Sequence, residues 1–116
     1  MNGIAAAVGL LADQVAAAMP GWNVTRDPQQ AMPPCVFVGF PTITGATLAG
    51  WVIEVPVHLL APAPGDLQAG DLLMSAVTLL LDATVTESAQ PVSVEVAAGV
   101  SHPGYLVNAT RVAEGA

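Results

Sequence analysis

Residues Gly50–Ala83, GWVIEVPVHLLAPAPGDLQAGDLLMSAVTLLLDA, decide the fold, because they run from a period-two strand through a two-proline loop into an amphipathic helix. Trp51, Ile53, Val55, Val57 and Leu59 alternate along one strand face, which predicts a core face; Val52, Glu54, Pro56 and His58 fall on a mixed face. Pro62 and Pro64 lack the amide hydrogens that a ladder needs, so the strand is expected to stop at a loop over Ala61–Gly65. Asp66 then supplies a helix N-cap. Leu67, Leu72, Leu73, Ala76, Val77 and Leu80 mark the apolar stripe of a helix ending near Asp82.

Working toward the N-terminus, Pro41–Gly50 has three threonines and two glycines and reads as a turn-rich hairpin tip behind a strand at Cys35–Phe40. Arg26–Pro34, with three prolines, reads as a surface connection. A short strand is expected at Trp22–Thr25. The segment IAAAVGLLADQVAAAM is apolar like a signal peptide, but it lacks a basic start and Asp13 interrupts it. Ile4, Val8, Leu11, Val15 and Met19 follow helical spacing instead, predicting a helix over residues 2–18 closed by Pro20 and Gly21.

Toward the C-terminus, Val92, Val94 and Val96 alternate in a fourth strand. A loop holding Gly99, Pro103 and Gly104 is expected next, then a fifth strand at Tyr105–Val112 and a loose tail at Ala113–Ala116. The expectation is a single α+β domain over residues 1–116: a small mixed or antiparallel sheet with two helices on one face, in the order α-β-β-β-α-β-β. A chain of this length can bury a sizeable core without disulfides.

Charged residues make up 9% of the chain, against about 25% in ordinary globular domains, and hydrophobic residues make up 53%. That leaves little polar material for a monomer's surface and predicts that much of the outside meets protein. The net charge of −7, with Arg26 and Arg111 as the sole Arg or Lys residues, argues against phosphate-backbone and membrane-surface binding. No run reaches the roughly 18 apolar residues of a membrane span.

Nothing resembles a catalytic constellation. His58 and Glu54 share a strand face but stand about 13 Å apart, too far to hold one metal, and His102 is read in a turn beside Pro103. Asp66 and Asp71 suit the positive end of a helix dipole before they suit acid–base chemistry. There is no GxGxxG, GxxxxGK[ST] or GxSxG. Cys35, the single cysteine, sits in an apolar run and reads as a small buried hydrophobe. Trp22 and Trp51 lack the basic neighbours of a base-stacking platform, so core or interface packing is expected. No enzyme activity, cofactor or metal is expected.

The passage PPCVFVGFPTITGATLAGWVIEVPVHLLAPAPGDLQAGDLLMSAVTLLLDA, from Pro33 to Ala83, resembles the tail terminator proteins of long-tailed, siphovirus-type phages of actinobacteria. The features that carry the resemblance are a proline-rich lead into a VFVG strand, a VPVHLLAP strand and the helix that follows. The resemblance implies a homo-oligomeric ring, a hexamer in the family, at the head–tail junction of the virion, assembled in the host cytoplasm. Such a ring caps the tail tube protein, stops its polymerisation and meets the head-side stopper or connector, while DNA passes through an acidic lumen without sequence-specific binding. On this reading the interface candidates are Thr42, Thr44 and Thr47, facing the tube or a neighbouring subunit, with Trp22 and Arg26 as anchors. The alternatives are another neck protein, such as a head–tail stopper or tail-completion protein, and a small ligand-binding or hydrolytic α+β domain.

Overall fold

The computed structural model describes residues 3–27, 34–48, 50–61, 67–86, 88–97 and 100–114. The elements are α1 (Gly3–Ala18), β1 (Asn23–Thr25), β2 (Cys35–Val38), β3 (Thr42–Thr47), β4 (Gly50–Leu60), α2 (Leu67–Thr84), β5 (Gln90–Ala97) and β6 (Val100–Glu114). The α+β class stands, and the order gains one strand over the sequence expectation.

The sheet runs β1-β2-β4-β6-β5, with β3 also on β4. All described pairs are antiparallel except β1 with β2. The long pair β4–β6 is the spine, matched from Gly50 opposite Glu114 to Leu60 opposite Gly104. On the far side of β4, β2 pairs with Val57–Leu60 and β3 with Gly50–Glu54, so β2 and β3 line the same edge end to end.

Pro56 explains the break between them. In an antiparallel strand a residue's N–H and C=O point to the same neighbour. The Pro56 carbonyl accepts from Gly39 N–H at 2.8 Å, so its missing donor falls opposite residues 39–41, where the ladder is interrupted. A side chain at residue 39 would also crowd the proline, since a Cβ there would stand 3.0 Å from Pro56 Cγ.

Both helices pack on one face, as their spacing predicts. Val8, Leu11, Val15 and Met19 of the α1 region and Leu73, Ala76 and Leu80 of α2 meet Val36, Val38, Ile53, Val55, Val57, Leu59, Val107 and Ala109 of the sheet in one core. On the opposite face, which no described helix covers, Cys35 and Leu60 are buried beside Phe37 and Val94.

Three expectations are corrected. The Pro41–Gly50 segment is not a loop: Thr42–Thr47 forms β3, with a bulge between Ile43 and Gly45 that absorbs the extra residue. Pro103 and Gly104 lie inside β6, and His102 is a strand residue opposite Val94 rather than a turn residue. Pro103 is tolerated because its carbonyl accepts from Ala61 N–H at 2.9 Å just past the end of β4, so its absent donor costs no β4–β6 ladder bond. Gly104 is required there, because a Cβ would overlap the Leu59 carbonyl oxygen and stand 2.8 Å from Leu60 Cδ2. Finally, the tail begins later than expected: Ala113 is buried in β6 and the strand reaches Glu114.

Trp51, placed on the core face by alternation, is 43% exposed because it lies near the end of β4. The expected loop at residues 62–65, the Asp66 cap and Gly99 lie outside the described residues.

Candidate interaction surface

The geometry that positions an interaction surface is the end of the β4–β6 spine remote from β2 and β5. There β3, Gly50–Glu54 of β4 and Thr110–Glu114 of β6 form a three-stranded ribbon. Several apolar residues in or beside it are open, Ile43 at 54% and Val112 at 59% with Trp51 and Leu48 also exposed, while Ile53 and Ala113 are buried in the core. Thr42, Thr44, Gly45, Ala46 and Thr110 are exposed too. Thr42 stands across Glu54 from Thr110, so these three share one face. Thr44, at the bulge, donates its hydroxyl to the Val52 carbonyl at 3.3 Å. Thr47 pairs with Gly50, closing the hairpin.

The expected interface residues therefore divide. Thr42, Thr44 and Thr47 come together on one strand. Trp22 is half-buried against the main core, with its backbone N–H donating to the Met19 carbonyl at 3.2 Å. Its ring packs within its own chain.

Arg26 is exposed at the end of β1, where the Asp27 N–H donates to Thr25 Oγ1 at 3.0 Å and turns the chain. Its Nη1 lies 3.6 Å from where a Cβ of Gly9 would stand, so the guanidinium rests against α1. Arg26 and Asp27 line an apolar cleft of about 550 Å³ together with Ile4, Val8, Phe40 and Pro41. Phe40, 87% exposed, connects this cleft to β3. Sequence reasoning missed Phe40 and Ile43 because it read Phe40 as the end of a strand and residue 43 as part of a loop, and it left Trp51 between core and interface packing. The signal was the crowding of apolar residues around a segment with no charge from Phe40 to Ile53.

The titratable groups offer little chemistry. Burial pushes the Cys35 thiol up from its ordinary value, which keeps it protonated and inert. His58 stacks on Phe37 with ring centroids 6.0 Å apart, and its buried Nδ1 has no hydrogen-bond partner. Burial lowers its pKa, opposed in part by the Phe37 backbone. His102 Nδ1 lies 3.1 Å from the Ala61 carbonyl, so that nitrogen carries the proton and donates. Among the described residues no group of three or more His, Cys, Asp or Glu side chains could hold a metal. No described helix is long and apolar enough to cross a membrane. No family model, curated protein or solved structure matches this chain.

Proposed function

We propose that this chain is a structural protein of a phage tail, forming a ring that caps the tail tube, stops its growth and joins it to the head-side connector. The observation that carries the reading is the three-stranded ribbon, which exposes Ile43, Leu48, Trp51 and Val112 in a chain with 9% charged residues. Exposed apolar side chains grouped in this way suit contact with other protein chains. Together with the resemblance over Pro33–Ala83, this favours the terminator role over an isolated domain. The ring is a virion component at the head–tail junction, and its work is steric and interfacial.

The test is to image particles of the phage that encodes this chain and locate it. A symmetric ring of this protein between the last tube ring and the connector is expected. Its absence from virions, or a position elsewhere, overturns the reading. A ring on the connector side that does not touch the tube would instead assign it as a head–tail stopper.

A ligand-binding reading is favoured by one observation, the cleft beside Arg26. Its volume of about 550 Å³ falls within the roughly 300–1,000 Å³ of small-molecule sites. A strictly monomeric mass and saturable binding of a small anion abolished by Arg26→Ala would select it.

A further inference from the structure

We propose that neighbouring copies join edge to edge through the ribbon, with Thr110–Glu114 of β6 in one copy lying parallel to β3 of the next. The proposal deepens the ring reading and rests on it for the identity of the partner, a second copy of this chain.

The topology carries the inference. Gly50–Glu54 of β4 is paired on both sides at the same level, by β3 and by Thr110–Glu114 of β6. Beyond each of these flanking segments no further strand lies among the described residues: β3 pairs only with β4, and β5 pairs with β6 only as far as Leu106. One ribbon therefore presents two rims with no strand beside them among the described residues, each carrying backbone donors and acceptors of the kind that templates strand addition; on the β6 rim the Thr110 carbonyl already accepts from Arg111 Nη1 at 2.8 Å.

The rims also match in direction. Both β3 and β6 run antiparallel to β4, so they run parallel to each other. Copies related by a rotation about an axis along the strands then place β6 of one beside β3 of the next in parallel, with the helices on the same side. That contact is heterologous, using a different surface on each copy, and it closes into a ring when the rotation divides a full turn. A two-fold contact would instead pair β3 with β3 or β6 with β6, antiparallel, and stop at two copies.

Charge argues for a second copy as the occupant. Chains of net charge −7 repel, so copies meet most easily along an edge strand that carries no charge of its own. β3, TITGAT, has no charged residue. On β6 the Arg111 guanidinium is held between the Thr84 carbonyl at 3.0 Å and the Thr110 carbonyl at 2.8 Å, and the exposed Thr110 and Val112 side chains are neutral. The usual guards of an open edge, charged side chains and proline, are thus lacking in β3, while this part of β6 has Arg111, tied to two carbonyls, and the terminal Glu114. The bulge between Ile43 and Gly45 bends β3 and limits the run that can pair. A foreign strand would need one rim; each copy of this chain supplies both.

The experiment introduces cysteines on the exposed face shared by the two rims, Thr42→Cys with Thr110→Cys and, to sample the next register, Thr42→Cys with Val112→Cys. Within one chain residues 42 and 110 are two strand spacings apart, about 9.6 Å, beyond the roughly 7 Å that a disulfide spans, so bridges must form between copies. The chain is oxidised alone and on tail tubes, with the wild-type protein as the control for Cys35. Ladders of three or more covalently joined copies from a double variant, absent from each single variant, are expected. Dimers from a single variant would establish a two-fold seam and overturn the proposal. A ring of normal mass and shape with no such bridges overturns the seam and leaves the ring reading standing, and a monomer under both conditions overturns both.

As a second readout, Thr42→Lys with Thr110→Lys should abolish the oligomer at least tenfold in concentration while the melting temperature holds, and Thr42→Lys with Thr110→Glu should restore it. Restoration failing while both variants remain folded also overturns the seam.

Discussion

Arg111 Nη2 donates to the Thr84 carbonyl at 3.0 Å, tying the inner end of the ribbon to the C-terminus of α2. Its Nη1 donates to the Thr110 carbonyl at 2.8 Å, which fixes the guanidinium from a second side. A helix C-terminus carries partial negative charge and unpaired carbonyls, so a cation there both bonds and complements the dipole. Arg111→Met keeps the apolar stem and removes the donors. Urea unfolding should show a loss of about 1–2 kcal/mol, and an unchanged midpoint would mean that the contact contributes nothing net.

The same helix end holds a residue in an unfavourable conformation. Thr86 N–H donates to the Leu81 carbonyl at 3.0 Å and Val85 N–H to the Asp82 carbonyl at 3.3 Å, the paired bonds of a Schellman stop. The position between them calls for a left-handed backbone, usually glycine, and Val85 occupies it with φ 53°. The valine side chain is 86% exposed, so little packing offsets the strain of a β-branched residue there. Val85→Gly should raise stability by about 1 kcal/mol in the same assay. A loss would show that the side chain has a contact worth more than the strain.

What was legible in the sequence follows from periodicity. The alternation Ile53, Val55, Val57, Leu59 and the stripe Leu73, Ala76, Leu80 located the main core because each pattern is long and each face is fully covered. The errors fall where a strand contains residues that usually mark turns. Gly45 reads as a loop residue, but a bulge accommodates it; Pro103 and Gly104 read as a turn, but one needs no donor at its place and the other must lack a side chain. Such local exceptions depend on the strand alongside, which sequence spacing does not reveal. The ribbon was invisible for the same reason: its open rims exist only once β3 and β6 flank β4 at one level.

The glycines provide a paired test of that account. Gly104 has Leu59 and Leu60 against the place a Cβ would occupy, whereas Gly70 in α2 has nothing within 4 Å of it. Gly104→Ala should therefore force backbone movement and cost about 2–3 kcal/mol, while Gly70→Ala should add about 0.5–1 kcal/mol through helix propensity. Thermal unfolding of the two variants beside the parent checks both signs, and equal effects would contradict the close approach of Leu59 to β6.

The last prediction concerns acid. His58 has a pKa lowered in the folded state, first by burial and then opposed in part by the Phe37 backbone. The unfolded chain then binds a proton at His58 that the folded chain resists, so the group favours unfolding as pH falls from its unfolded value through its folded one. The sign is set by the direction of the shift: the contribution to stability is complete above the ordinary histidine range and is lost below it. His58→Phe removes the titration and the partnerless Nδ1 while keeping an aromatic ring against Phe37. Between about pH 7 and pH 5 the parent should lose more stability than the variant, and at pH 7 the variant should be no less stable, because a buried polar atom without a partner has been replaced by carbon. Parallel pH profiles for parent and variant would mean that His58 is solvated in the folded protein and that the face carrying Cys35, Phe37 and Leu60 is open to water.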